Sequence, residues 1–158
     1  MKKTEEKSGK TDFKATMSGL ESTLETYLVG KAPSIPENIK EIIVKFSPWL
    51  TLIFFVLSLP AILFALGVGT ILTPFSYLGG LRVGMSYTVG MIFTAAVLVI
   101  EAIAIPGLFK RSLSAWKLLF YASLLSGIQA LISFNLGGLI IGMGLSLYVL
   151  FQVKSYYK

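Results

Sequence analysis

The sequence predicts an all-α protein, namely an integral membrane four-helix bundle preceded by one or two amphipathic interfacial helices. Four apolar runs lie between Trp49 and Val153, each about 20 residues long, which is the length a helix needs to cross the hydrocarbon of a bilayer. That stretch contains a single carboxylate, Glu101. Upstream of it, apolar residues recur at helical spacing between polar ones, a pattern typical of helices that lie at an interface.

Composition supports this class and excludes several functions. Hydrophobic residues make up 54% of the chain and charged residues 14%, whereas soluble domains have about a quarter charged residues. The net charge is +6, but the basic residues flank the apolar runs, so we expect a lipid bilayer and not nucleic acid as the partner. Cysteine and histidine are both absent from the sequence, so we expect no disulfide and no metal site.

No residue pattern typical of an enzyme is found. The segment Gly79–Gly84 has the glycines of a phosphate-binding loop, but it lacks the Lys-Ser/Thr ending and does not join a strand to a helix. The sequence has neither paired aspartates for magnesium nor a Ser-His pair for an intramembrane protease. We therefore expect no catalytic residue, no cofactor and no enzymatic activity.

The chain divides into three segments by composition. Residues 1–10 are rich in Lys and Glu and are predicted to form a disordered tail. Residues 11–46 are predicted to form a cytoplasmic amphipathic helical segment. Residues 47–158 are predicted to form the bundle, with four spans at about 49–68, 87–105, 116–134 and 136–153.

The first amphipathic helix is predicted by an apolar stripe. Its members are spaced alternately four and three residues apart, with Glu21 and Glu25 on the solvent-facing side; they are Phe13, Met17, Leu20, Leu24 and Tyr27, widened by Leu28. We expect this helix to lie on the membrane surface or to fold back on the bundle. Self-association through the stripe is the sharper alternative, and disorder is a third.

A second short helix is predicted just before the first span. Ser34 and Glu37 stand three residues apart as a capping box, and an apolar face follows up to Phe46. Proline disfavours helical geometry in the residue before it, so Pro48 predicts a turn from the surface into the bilayer.

Two connections between the spans can also be predicted. The glycine-rich residues 69–84 predict a loop at headgroup level. Asn135 is nearly the whole connection between spans three and four, which predicts an antiparallel hairpin.

The basic residues predict the orientation of the chain. Short loops rich in Lys and Arg stay on the cytoplasmic side, so we expect both termini to be cytoplasmic and the protein to be a multi-pass protein of the plasma (inner) membrane. Trp49 and Trp116 are expected at the inner interface. Arg82 lies on the opposite side, whereas the basic residues on the cytoplasmic side are Lys31, Lys40, Lys45, Lys110, Arg111, Lys117, Lys154 and Lys158.

Glu101 is the residue most able to carry chemistry. Tyr87, Thr94 and Glu101 repeat every seven residues, which gives the second span one polar face that should point into the bundle. A structural ion pair with Lys117 or Arg111, or a hydrogen bond, is the expected role of Glu101. The alternative is a proton or cation site in a transport path.

Other residues are expected to hold the spans together. Gln129 matches the depth of Thr94 or Gly90 and is expected to form an interhelical hydrogen bond. Small residues repeat at intervals of four on spans three and four, which predicts close packing within the hairpin or, alternatively, homodimerisation. These helix-packing residues are Gly138, Gly142, Ser146, Ser123 and Gly127.

The expected function is therefore that of a small non-enzymatic integral membrane protein, an accessory or scaffold subunit that uses its N-terminal amphipathic helices. Its partner beyond the bilayer would be another membrane protein or a second copy of the chain. The alternative is a small oligomeric transporter or channel with Glu101, Thr94 and Tyr87 on a polar intramembrane face.

Overall fold

A computed structural model describes residues 2–158, with side chains described from residue 12 onward. In this part of the chain the regular structure is helical, without strands. It includes four helices that are long and apolar enough to cross a membrane: Glu37–Gly79, Leu81–Phe109, Leu113–Ile132 and Gly138–Tyr156. The all-helical class and the four apolar helices predicted from the sequence are confirmed, and they are compatible with a multi-pass membrane protein.

The helices follow one another with short connections. They are α1 (Lys2–Leu28), α2 (Glu37–Ser76), α3 (Leu81–Phe109), α4 (Leu113–Ile132) and α5 (Leu145–Val153), with a π-helical segment, Gly138–Gly144, before α5. Short 3₁₀ turns follow α2 at Tyr77–Gly79 and follow α5 at Lys154–Tyr156. We call Gly138–Gly144 the π segment.

Helix α2 is continuous where the sequence predicted a turn. It runs for 40 residues and includes Pro48, so the predicted second short helix and the first span form one helix. The side chains of Val44 and Pro48 are buried against the rest of the bundle. A proline within a helix removes one hydrogen bond and crowds the carbonyl four residues before it, and here the burial of Val44 and Pro48 offsets that cost.

The predicted loop at residues 69–84 is also wrong. Helix α2 continues to Ser76 and α3 begins at Leu81, with the turn made at Gly80, whose φ is +103°. A Cβ atom at Gly69 would lie 2.8 Å from Cε of Met91, and one at Gly84 would clash with the ring of Tyr77. These glycines therefore allow α2 and α3 to approach closely instead of making a flexible loop.

The predicted hairpin between the last two spans is present. Helix α4 ends at Ile132, and the chain turns at Phe134, whose φ is +52°. Oδ1 of Asn135 accepts a hydrogen bond from the backbone N–H of Gly138 at 2.9 Å, which caps the start of the next helix.

At the other end of the chain, α1 begins at Lys2 and so includes most of the residues predicted to be a disordered tail.

The buried side chains gather at one end of the bundle, in a group that we call the end core. Trp116 is fully buried, its ring lies parallel to that of Phe120 at 5.6 Å, and Phe151 meets it edge-on at 5.2 Å. The indole N–H donates to the Leu150 carbonyl at 2.7 Å. The end core consists of Val44, Leu108, Ala115, Trp116, Phe120, Leu147, Phe151, Val153 and Tyr157.

Trp116 lies at one end of the bundle, but its side chain is buried in the end core and does not lie on the surface. A Trp side chain favours the interface because its N–H needs a polar partner, but here the Leu150 carbonyl supplies that partner inside the protein. Trp49, in contrast, is 57% exposed and touches Phe109 only edge-on, with 5.1 Å between ring centroids.

We predict that Trp116→Ala lowers the free energy of unfolding by about 3 to 5 kcal/mol, the usual cost of deleting a buried aromatic side chain. Trp49→Ala is the matched control, and its effect should be much smaller because the side chain is largely exposed. Thermal or denaturant unfolding of the full chain in detergent measures both. Equal destabilisation by the two variants would contradict the assignment of Trp116 to the end core.

Candidate functional site

The polar face predicted on α3 lies beside a row of cavities. Near the start of α3, an open recess of 430 Å³ on the surface of the helix is lined by Arg82, Ser86 and Tyr87. Next to it, a cavity of 380 Å³ between α2 and α3 includes Tyr87 and Thr94 in its lining. The structure thus brings two of the three predicted polar residues to adjacent cavities on one side of α3.

The row continues to Glu101. A cavity of 140 Å³ between α2, α3 and α4 is lined by Thr94, Glu101, Ser126 and Gln129, among others. A larger one, of 550 Å³, lies between α3, α4, the π segment and α5, and Glu101 and Ser126 line it too. Each cavity shares lining residues with the next one, so the polar face runs along the whole row from Arg82 to Glu101.

Glu101 lies half-buried where the last two cavities meet. Among residues 12–158, ion pairs join Lys40 to Glu37 and Lys154 to two glutamates of α1, so the predicted pair of Glu101 with Lys117 or Arg111 is not formed. Lys117 follows the buried Trp116 and its side chain is exposed, and Arg111 lies in the exposed turn before α4. The carboxylate of Glu101 is therefore half-buried between the helices, whereas the side chains of Lys117 and Arg111 lie on the exposed surface.

Thr94 and Gln129 share one acceptor. Oγ1 of Thr94 donates to the Gly90 carbonyl in its own helix at 3.0 Å, and Nε2 of Gln129 donates to the same carbonyl from α4 at 3.4 Å. The interhelical hydrogen bond predicted for Gln129 is therefore present, at a long distance. Thr94 Oγ1 and Gln129 Nε2 thus both bond to the backbone of α3, while Glu101 lines the two cavities.

The small residues of the hairpin have two different surroundings. Gly127 on α4 lies against the side chain of Met143, which is the predicted close approach. At Gly142, no heavy atom outside the adjoining residues and the local helix backbone lies within 4 Å of the position that a Cβ atom would take. This glycine lines the 550 Å³ cavity together with Gly138, Ser123 and Ser146. The predicted close packing is therefore absent at Gly142. A π-helical turn adds one residue to the repeat, so residues spaced by four leave the common face.

Lys154 joins α1 to the end core in a contact that the sequence did not reveal. Its Nζ lies 2.9 Å from Oε1 of Glu21 and 2.7 Å from Oε2 of Glu25, and 5.2 Å from the centre of the Trp116 ring. The Glu21 side chain is 19% exposed, so its predicted place on the solvent-facing side is wrong. We call Lys154, Glu21 and Glu25 the clamp.

Gln152 fixes the linker between α1 and α2. This buried side chain donates from Nε2 to the Leu28 carbonyl at 2.8 Å and accepts at Oε1 from the backbone N–H of Ile35 at 3.2 Å. The hydroxyl of Tyr148 donates to the Pro33 carbonyl in the same linker at 2.6 Å. A polar Gln152 in an otherwise apolar run is the signal in the sequence that could have indicated this role.

The C-terminal tail closes the same end of the bundle. The backbone N–H of Lys158 donates to the Arg111 carbonyl at 2.9 Å, and its carbonyl accepts from Leu113 at 2.8 Å. The hydroxyl of Tyr156 donates to the Glu37 carboxylate at 2.7 Å. The tail therefore ties the start of α2 to the turn between α3 and α4.

Comparison of the chain with models of known protein families, with curated proteins and with solved structures finds no match.

We predict that Gln152→Leu lowers the free energy of unfolding by about 1 to 3 kcal/mol, because it leaves partly buried backbone groups at Leu28 and Ile35 without their partner. Gln129→Leu is the matched control; it removes one long hydrogen bond and should cost less, about 0.6 kcal/mol. Unfolding of both variants in detergent tests this order. A larger loss in Gln129→Leu would contradict the role given to Gln152.

Proposed function

We propose that the protein is a non-enzymatic accessory or scaffold subunit that lies in a membrane. In this role it presents the upstream part of α1 to another membrane protein. The observation that carries this proposal is the clamp. Leu20, Leu24 and Leu28 pack against the end core while Glu21 and Glu25 bind Lys154, so the last two turns of α1 are fixed to the bundle.

Just before the clamp, residues 12–16 of α1 have little of the protein to pack against. Residues 12–16 are exposed, and the side chain of Phe13 is 60% exposed. At 1.5 Å per residue, the helix from Lys2 to Ser18 extends about 25 Å beyond the clamp. Isolated helices of this length are marginal in water, so a partner surface or the lipid headgroup region would stabilise it. Helix α1 therefore has one end fixed to the bundle and another that extends away from it, as expected of a helix that binds a partner.

The proposed location is the plasma (inner) membrane, with both termini cytoplasmic. In support, the clamp and the bonds of Lys158 to the Arg111 turn bring α1, the C-terminal tail and the α3–α4 connection to one end. That end carries most of the Lys and Arg residues that flank the apolar helices, whereas Arg82 lies at the opposite end. Cytoplasmic retention of short basic loops favours this orientation.

The proposal predicts a protein partner beside Phe13. With p-benzoylphenylalanine in place of Phe13, irradiation of native membranes should join the chain to one protein in a single adduct. The same photoreactive residue in place of Leu57, which is 71% exposed on α2, is the matched control and should give no such adduct. Lys154→Met should reduce the yield from position 13 several-fold, because α1 then loses its fixed direction.

Deletion of residues 2–18 should abolish co-purification of that partner while the clamp and the bundle remain. An adduct between two copies of the chain would assign the surface to self-association instead of scaffolding. Retention of the partner after the deletion, or adducts from position 13 to lipid alone, would overturn the proposed function.

A second candidate is a small transporter or channel, and the row of cavities along α3 favours it. Tyr87, Thr94 and Glu101 follow the row, and Glu101 faces cavities on two sides of the α3–α4 contact. Cation flux into proteoliposomes that is lost in Glu101→Gln and unaffected by deletion of residues 2–18 would favour this function over the first.

A further inference from the structure

The cavity between α3, α4, the π segment and α5 is lined partly by polar and partly by apolar side chains. Its volume of 550 Å³ falls within the range of small-molecule sites, about 300 to 1,000 Å³. One part of the wall is polar and consists of Glu101 with Ser123, Ser126 and Ser146. The larger part is apolar and includes Leu119, Met143, Leu145, Val149 and Leu150. A ligand that matches this wall has one polar end and an apolar body.

The charge of the ligand follows from the residues that line the cavity. Among the described residues of the lining, Glu101 is the one charged side chain, since α4, the π segment and α5 contribute only apolar residues, glycines and serines. Glu101 also has no ion pair within residues 12–158. A carboxylate between apolar helices is stabilised by an opposite charge, so a ligand with a single positive charge is favoured over a neutral or anionic one.

The size of the cavity favours an organic cation over a metal ion. Ca²⁺ and Mg²⁺ take about six or more oxygen ligands, and the described wall offers one carboxylate and three hydroxyls, which come from three different helices. The remaining surface can bind only apolar groups. A cation with hydrophobic substituents satisfies both parts of the wall.

The π segment makes room for such a ligand. Continuous π-helical turns are rare and occur frequently at functional sites. Here the segment contributes Gly138, Gly142 and Met143 to the wall, and the Cβ side of Gly142 faces open space. The flexible thioether of Met143 can adjust to ligands of different shape.

We propose that this cavity binds a lipophilic organic monocation, with its charge beside Glu101 and its apolar substituents against α5 and the π segment. The site goes beyond both proposed functions. It would serve a scaffold as a ligand site and a transporter as a substrate site, so the loss of the α1 partner interaction would leave it unaffected.

Tetraphenylphosphonium is a suitable probe, and the full-length protein in zwitterionic lipid nanodiscs is the suitable sample. We expect saturable binding of one cation per chain by equilibrium dialysis, above the linear partition into lipid. Glu101→Gln should weaken it by at least about tenfold, because the only charge in the wall is lost. Gly142→Leu should weaken it to a similar extent, because the new side chain fills the cavity. Tetraphenylborate, an anion of the same shape, should show partition alone.

Two variants control for general effects. Glu41→Gln removes a carboxylate that is exposed on α2, outside the cavity lining, and Gly67→Leu adds the same bulk at another glycine with open space around it. Both should bind the cation as the unmodified protein does. Gly142→Leu keeps Glu101 in place, so it tests the site even if Glu101→Gln fails to fold. The proposal is overturned if the unmodified protein shows no saturable binding, or if either folded cavity variant binds as tightly as the controls.

Discussion

The exposed apolar surface of the long helices is the constraint on which the rest of the structure depends. In an 18-residue apolar stretch of each of the four long helices, only 6, 11, 28 and 22% of the residues, in chain order, are buried within the protein. Leaving such surface in water costs about 25 cal/mol per Å², whereas in hydrocarbon the cost disappears. Helices also satisfy their own backbone hydrogen bonds, which hydrocarbon requires. The fold is therefore suited to a bilayer.

In such surroundings specific contacts must hold the helices together, because hydrocarbon chains are as apolar as leucine side chains. At one end these contacts are the rings of Trp116, Phe120 and Phe151, together with the clamp and the linker bonds of Gln152. Towards the other end, Gly69 lets α2 approach Met91 of α3. The row of cavities begins near Arg82 at that other end and continues to Glu101. The arrangement thus combines a fixed end, which carries α1, with a more open remainder.

The sequence predicts features that depend on one helix at a time. The length of each apolar run predicts the four apolar helices. The seven-residue repeat of Tyr87, Thr94 and Glu101 predicts the face of α3 that lines the cavities. Most contacts between distant segments were not predictable; the bond of Gln129 to Gly90 is an exception, because the two residues match in depth on neighbouring spans. Lys154 meets Glu25 across 129 positions, and no local pattern indicates such a pair. Glycine is ambiguous for another reason, since the missing Cβ allows both a loop and close helix packing, and only the neighbour of Gly69 distinguishes the two.

Collision measurements on nitroxide labels in reconstituted bilayers test the lipid-facing surface of α2 most directly. Leu57, Phe64 and Ile71 are 71, 72 and 69% exposed and stand seven residues apart, and the chain has no native cysteine. Labels introduced by Leu57→Cys, Phe64→Cys and Ile71→Cys should collide often with oxygen and rarely with a water-soluble nickel complex. A label at Ser18, which is exposed on α1, should show the reverse. Nickel collisions at position 64 as frequent as those at position 18 would contradict a hydrocarbon environment for the helices.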